Sequence, residues 1–428
     1  MAASNLTTTT QTANATIDRF MPARQLEVAK YSTQWYGLLP HVKIPKGESK
    51  TVTFHRYPHL ALPTSTLSEG SSGTAQQLST ERVSVSTQTH GAYVEVSSLA
   101  EYITRGSPLA TAADRLGVQQ ARVIDREITR QAMGATTKYY PGSVTARSGL
   151  GADDVISSVL MKKVRARLKR RGAHYYEGSQ FVMICGPEVC ADMRNDTLFV
   201  QAVTYQKWEV LTSEEQGSWH GFRIVESNTI PSFTLLSSTN ATLGAANQGA
   251  GETVLTDATY YVIMTANDAD GFETGFYAGQ SQAVADSGDG VLTVATPALP
   301  STYVSFNIYV GTNSAYTDCA LQVEKAAAST TYRINGNGGG TNGVAYSTSG
   351  RIVGVAPASG ITVHPVWFFG SEYMKCTEIE NVKTYRVTGP DSGNPLNRYS
   401  TVGWVMEGFA ALITDQNEGG CIEVATKN

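Results

Sequence analysis

The sequence holds little that would perform chemistry. Its 428 residues include five cysteines, Cys185, Cys190, Cys319, Cys376 and Cys421, and no CxxC pair. An odd number without paired spacing speaks against a disulfide framework and for folding in a reducing compartment. No apolar run approaches the roughly 18 residues of a membrane span. The opening MAASNLTTTTQTANATIDRF has neither a basic nor an apolar segment, so no secretory signal is expected. GxSxG, HExxH, phosphate-loop and calcium-loop spacings are missing. His55 and His59 are four apart, but Pro58 stands between them, which excludes helical metal-ligand geometry. Glu252, Asp257, Asp268, Asp270 and Glu273 carry oxygen ligands of the kind calcium takes, yet without a fixed spacing. Cys185 and Cys190 read as buried small hydrophobes rather than reactive thiols. These absences leave a hydrolase without a supporting constellation. The expectation is a protein that is not an enzyme and has no catalytic residue, cofactor or metal.

Charge is sparse too. With 33 basic and 37 acidic residues the net charge is −4, so the chain is no polycation. One stretch departs from this. In KKVRARLKRRG (162–172), seven of the ten residues from Lys162 to Arg171 are basic. Asp153 and Asp154 upstream and Gly172 downstream read as the ends of a helix, with Ile156, Leu160, Val164 and Leu168 as its apolar stripe. Acid at the start and base at the end suit the helix dipole. The dipole accounts for one or two terminal cations, not for all of these. Lys162, Arg165 and Lys169 share the face opposite the apolar stripe. That face is either solvated and subunit-contacting, or close to nucleic acid.

What the sequence does contain is architectural. Residues 1–45 read as a polar arm. KTVTFHRY (50–57) and VSVSTQTHGAYVEVSS (83–98) alternate as strands do and frame a long hairpin. The intervening HLALPTSTLSEGSSGTAQQLSTE is too long for an ordinary loop of a compact domain. It reads as the tip of a reaching arm, with Leu60, Leu62, Leu67, Gln76 and Gln77 as candidate inter-subunit contacts. Ser107 and Pro108 begin a long helix that ends near Gly134. Its stripe of Leu109, Ala113, Leu116, Val123 and Ile124 opposes Arg115, Arg122 and Arg126. FVMICGPEVCADMRND (181–196) reads as a buried strand, a turn and a helix. From about 234 to 362 charge falls and Gly, Ser, Thr and Tyr rise. TYYVIMTA, GVLTVAT, YVSFNIYVG and TTYRI follow one another as short strands, the pattern of a small β-sandwich. VWFFG (366–370) and the region from Trp404 to Ile413 then resume the earlier style, so the sandwich reads as an insertion in a discontinuous host.

The order of these parts resembles a tailed-bacteriophage major capsid protein of the Hong Kong 97 fold. It is most similar to the family typified by coliphage N-four. The segments that carry the resemblance are TIDRFMPARQLEVAKYSTQW (16–35), KTVTFHRYPHL (50–60), THGAYVEVSSLAEYITRGSPLATAADRLG (89–117) and NRYSTVGWVMEGFAALITDQNEGGCIEVAT (397–426). The resemblance covers most of 16–232 and 364–428. It implies an α+β fold with an N-arm (1–45), an extended loop (46–98) and peripheral and axial domains (99–233 and 363–428). The inserted all-β sandwich (234–362) lies outside it. There, YYVIMTANDADGFET and FNIYVGTN look like fibronectin type III or immunoglobulin-like modules.

The resemblance further implies pentamers and hexamers of this chain, closed into an icosahedral shell around double-stranded DNA held without sequence specificity. It implies a separate scaffold protein and a portal as partners, no membrane, a place in the virion and assembly in the host cytoplasm. The sandwich would face outward, toward a decoration protein or a host-surface glycan. Two further readings compete: a tail or decoration protein with a glycan-adhesion module, and a nucleic-acid-binding protein using residues 162–171.

Overall fold

The computed structural model describes residues 35–427 apart from 46, 48, 63–65, 67–68, 71–74, 105, 197–217, 237–240, 286–289, 349–354, 388 and 391–392. The expected arm up to residue 34 and Leu67 of the hairpin tip lie outside the described residues. Contacts divide the chain into two units. The first joins residues 1–134 to 371–416, and the second joins 135–370 to 417–428.

In the first unit the short helix α1 (Trp35–Leu38) and helix α2 (Ser98–Ile103) flank the long helix α3 (Pro108–Ala132). The sequence signals for α3 act as expected. The Ser107 hydroxyl accepts from the Ala110 N–H at 3.4 Å, and Pro108 occupies the first turn, where no N–H is needed. Its 25 residues span about 37 Å. Leu109, Leu116, Ile124, Ile128 and Ala132 are buried along one side.

Beneath α3 the strand Tyr399–Ile413 pairs antiparallel with Gln88–Ser97, Lys383–Val387 and Met374–Glu378. Val402, Trp404 and Met406 alternate inward, and the Trp404 indole N–H donates to Gln119 of α3 at 3.4 Å. The hairpin is separate from this sheet. Among the described residues Thr51–Arg56 pairs only with Glu81–Ser86, from Thr51 opposite Ser86 to Arg56 opposite Glu81. The returning chain therefore has two jobs: Glu81–Ser86 closes the hairpin, and Gln88–Ser97 enters the sheet.

In the second unit helix α4 (Ser158–Arg170) and helix α5 (Pro187–Arg194) accompany a long mixed sheet. Phe181–Cys185 lies inside that sheet, parallel to Phe222–Glu226 and antiparallel to Thr362–Phe369. All five of its residues are buried, as a strand covered on both faces requires. Thr362–Phe369 also pairs with the last strand, Gly419–Ala425, every residue of which is buried. Met161, Val164 and Leu168 of α4 join Phe181, Phe222 and Phe368 in one core.

The start of α4 corrects the sequence reading. Asp153 and Asp154 precede the helix instead of capping it, and Ile156 is buried ahead of its first turn. The cap is Ser157, whose hydroxyl accepts from the Leu160 N–H at 3.4 Å. The acid near this helix start comes from Asp196, which accepts from the Ser158 N–H at 3.0 Å. Asp154 instead accepts from the Gly151 N–H at 2.8 Å and closes a local turn.

Each of the four apolar runs read between 259 and 334 forms a strand. Ala258–Asp268 and Tyr303–Gly311 pair with each other, and Val291–Ala295 and Thr331–Asn335 pair within a second, four-stranded sheet. Side chains from both sheets, including Tyr260, Val262, Phe306, Leu292 and Ile334, share one core. The larger of the two sheets is continuous with the rest of the second unit. Glu273–Phe276 runs parallel to Phe233–Leu235, which in turn pairs with Thr362 and Val363.

One position tests the first unit directly. Between Met406 and Phe409 the register of Tyr399–Ile413 shifts, and Gly408 sits there at φ 71°. A Cβ on Gly408 would lie 2.3 Å from Ile379 Cδ1. Left-handed backbone and overpacking together predict that Gly408→Ala loses about 2–4 kcal/mol. Urea unfolding of the variant measures this, and an unchanged midpoint would contradict the geometry.

Candidate subunit and nucleic-acid interfaces

Helix α4 carries the basic run, and 3.6 residues per turn puts Lys162, Arg165 and Lys169 on one side of it. The structure separates these three. Lys162 and Lys169 are exposed, whereas Arg165 is only partly so. The Arg165 guanidinium lies against the backbone at Gly221, where a Cβ would come within 2.2 Å of its Cζ. Gly221 has φ 80° and follows His220 at φ 47°, in a tight turn that Arg165 packs over. The His220 ring stacks on Trp219 with centroids 4.7 Å apart. Burial lowers the His220 pKa first, and the Lys162 and Arg165 charges push it further down against the pull of Asp196. Arg165 is thus a packing residue, while Lys162 and Lys169 can meet another molecule. Lys169 also stands 6.0 Å from the ring centre of Tyr175.

The hairpin tip presents apolar surface. Leu60 is 54% exposed and Leu62 85% exposed, and Leu78 on the return side is 60% exposed. Gln76 and Gln77 are exposed as well. The Gln76 side-chain amide donates to the Ala61 carbonyl at 2.8 Å, which ties the two sides of the tip together. Leu78 is a residue of this surface that the sequence reading missed. Its spacing from Gln76 and Gln77 gave no periodic signal. At the base of the hairpin, Arg56 bridges Glu81 across the strand pair and Asp415 of the same unit. A two-stranded hairpin is marginal by itself in water, and these ion pairs add to its support at the base. Nearby, Leu99, Tyr102 and Ile103 of α2 are also exposed.

The polar groups read as alternatives have local employment. Glu252 pairs with Arg333 at 2.6 Å. Glu273 accepts from Tyr309 at 2.8 Å and from Asn307 at 2.8 Å. Asp268 accepts from the Phe272 N–H at 2.9 Å. Among the described residues no group of three or more His, Cys, Asp or Glu side chains is arranged to hold a metal. All five cysteines are buried and unbridged. Cys185 and Cys190 approach to 2.7 Å between sulfurs, and with a hydrogen bond between them and burial the Cys185 thiol is pushed well up. No helix among the described residues is long and apolar enough to cross a membrane.

The strongest electrostatic centre was not visible in the sequence. Glu423, on the last strand, is buried and accepts two hydrogen bonds from Arg147, at 2.6 and 2.9 Å. Lys138 reaches it at 3.0 Å and the Tyr140 hydroxyl donates to it at 3.1 Å. Burial alone would raise the Glu423 carboxyl, but Arg147 and then Lys138 outweigh it and bring it down to about 2.

Comparison with known proteins follows this geometry. A family model described as phage capsid protein matches residues 80–296, just over half of the chain. The structure is similar to the capsid structure of cyanophage P-SCSP1u, with a TM-score of 0.52 at 11% identity over 99% of this chain and 98% of that one. It is similar also to the capsid asymmetric unit of cyanophage Pam1, with a TM-score of 0.53 at 11% identity over 96% and 97%. At such identity the likeness is one of fold, and the fold is α+β of the Hong Kong 97 kind. No curated protein matches the sequence.

The Glu423 centre yields a pH prediction. Its folded-state pKa of about 2 lies below the unfolded value near 4.5, so its stabilisation is present above the unfolded value. That stabilisation is lost as pH falls from about 4.5 toward 2. Glu423→Gln should cost about 3–5 kcal/mol at neutral pH by leaving Arg147 poorly matched. The gap between wild type and variant should narrow in denaturant titrations run toward pH 3. A gap that stays constant with pH would mean that the carboxylate is not held ionised.

Proposed function

This chain belongs to the phage capsid protein family, and we propose that it is the major capsid protein of a tailed phage, of the kind typified by coliphage N-four. In this reading it forms pentamers and hexamers that close into an icosahedral shell around double-stranded DNA. The family is structural, and the chain's role is assembly rather than turnover. The observation that carries the shell reading is the hairpin. Among the described residues its two strands pair only with each other, and its tip exposes Leu60, Leu62 and Leu78. Exposed apolar groups on an extended arm are stabilised when a neighbouring copy covers them. Contacts of this kind, repeated around a ring, spread cohesion over many subunits.

The parts then take these roles. Residues 1–45 are the arm, 46–98 the extended loop, and 99–233 with 363–428 the peripheral and axial domains. Residues 234–362 are an immunoglobulin-like sandwich on the outer face, where a decoration protein or a host-surface glycan would meet it. A separate scaffold protein and a portal complete the assembly, which takes place in the host cytoplasm and ends in the virion.

Negative-stain electron microscopy of the purified chain, concentrated over a range of salt, tests the assembly. Closed shells or pentameric and hexameric rings are expected. Chains that stay monomeric even with the phage's own scaffold added would overturn the proposal. Charge reversal at Lys162 and Lys169 assigns the exposed face of α4. Loss of shells identifies a subunit contact, and normal shells with poor genome retention identify a DNA contact. Arg165 is left out because its substitution would disturb the turn at Gly221.

A further inference from the structure

The C-terminal end of α4 has a second basic flank. Arg167, Arg170 and Arg171 turn toward the short strand Lys138–Tyr139 and, with Thr136, Thr137, Lys138 and Tyr139, line an open cavity of about 620 Å³. Four of these seven lining residues are cationic and none is acidic. We propose that this cavity is a phosphate-binding pocket for the backbone of nucleic acid. The inference deepens the proposed function by naming the side chains that hold packaged DNA, and in that respect it rests on that reading.

Three observations carry it. The first is charge without compensation. Lys138 and Arg147 share Glu423, which leaves that centre one positive charge in excess. Among the described residues none of Arg167, Arg170 and Arg171 forms an ion pair with a carboxylate. The helix dipole favours cations in the last turn, but its effect fades within that turn and does not call for Lys138 on a different segment.

The second is pre-ordering. The Arg167 guanidinium lies over the Tyr139 ring, 4.9 Å from its centre, and Arg171 donates to the Thr137 hydroxyl at 3.4 Å. Two of the planar forks are therefore held before a ligand arrives, and such forks match phosphate oxygens in pairs. Positions three and four apart on a helix bring Arg170 and Arg171 each within about 5–6 Å of Arg167 at Cβ. Like charges that close repel until an anion enters.

The third bears on which anion. The sequence has no run of more than two consecutive acidic residues, so a second copy of the chain offers no acidic segment to match this cluster. A nucleic-acid backbone offers regularly repeated phosphates, which a cluster of cations can bind without any base contact.

The test uses the purified full-length chain and a short DNA duplex, with affinity measured across salt concentrations. Wild type should bind, with log affinity falling linearly in log salt. Replacing all three arginines by alanine should reduce that slope by about 2.7, from roughly 0.9 for each of three phosphates. The conservative set Arg167→Lys, Arg170→Lys and Arg171→Lys should keep most of the slope and lose affinity. In the shifted arm, inorganic pyrophosphate should raise the melting temperature of wild type and leave the triple-alanine variant unmoved.

Because these arginines face solvent, the triple-alanine variant should melt no lower than wild type. If it unfolds, the lysine set and the pyrophosphate shift of wild type still decide. Any of these results overturns the proposal: no salt-dependent duplex binding by wild type, an equal loss of slope in Lys162→Ala with Lys169→Ala, or polyglutamate binding as tightly as the duplex. Electron microscopy of the same variants separates this inference from the shell reading. Shells formed by the triple-alanine variant with unchanged duplex binding sink the pocket alone, whereas a wild type that never assembles sinks the capsid function.

Discussion

Much of the second unit hangs on one buried guanidinium. Arg147 gives two hydrogen bonds to Glu423 on the last strand and lies over the rings of Phe233 and Phe276, 4.5 and 5.0 Å from their centres. Those rings meet edge to face at 5.7 Å. Phe233 and Phe276 belong to the two strands whose parallel pairing joins the 234–362 segment to the rest of the sheet. From the short 3-10 helix Arg147–Gly149, one side chain therefore contacts the C-terminal strand and both strands of that pairing. Removing one member of a buried pair leaves the other charged and poorly solvated, so the centre stands or falls together. The Tyr140 hydroxyl and Lys138 complete the set of partners around Glu423.

That centre also explains how charge is distributed over the unit. The chain is slightly acidic overall, yet α4 shows a row of cations to solvent. Buried acids such as Glu423, Glu252 and Glu273 are matched inside, by Arg147 and Lys138, by Arg333, and by Asn307 and Tyr309. Internal matching of this kind leaves the cations of α4 to act at the surface. Net charge alone conceals it, because a sum over the chain does not separate acids held inside from exposed bases.

Local signals were legible in the sequence, and partners distant along the chain were not. Ser107, Pro108 and a repeating apolar stripe announce α3, because capping and amphipathicity are properties of neighbouring residues. Val52 and Phe54 alternate with Thr51 and Thr53 in the hairpin for the same reason. The N-cap of α4 was misassigned because an adjacent acid pair outranked the serine at 157. The acid that serves the helix start is Asp196, 38 residues further along. The partners Arg147 and Glu423 are 276 residues apart, and nothing near either residue announces the other. The pocket at Lys138 was hidden likewise: the basic run supplies three of its walls, while the fourth comes from a strand that looks unremarkable by itself. Arg165 looked like a free cation by its helical position, and only the turn at His220 and Gly221 shows it to be packed.

The fall in charge near residue 234 marked a change of composition, not a break in hydrogen bonding. Phe233 pairs with Val363 and Thr234 with Thr362, so the two ends of the 234–362 segment lie side by side in one sheet. Adjacent ends are what an insertion into a chain would need. Here the junction goes further than a neck. Gly275 and Phe276 extend the same ladder beyond Thr234 and Leu235, so main-chain hydrogen bonds run without a break from Thr362–Phe369 into the 234–362 segment. A segment tethered by a loop would swing about its tether. One that shares a ladder, with Arg147 stacked across the seam, is held in a fixed direction by the sheet that carries it.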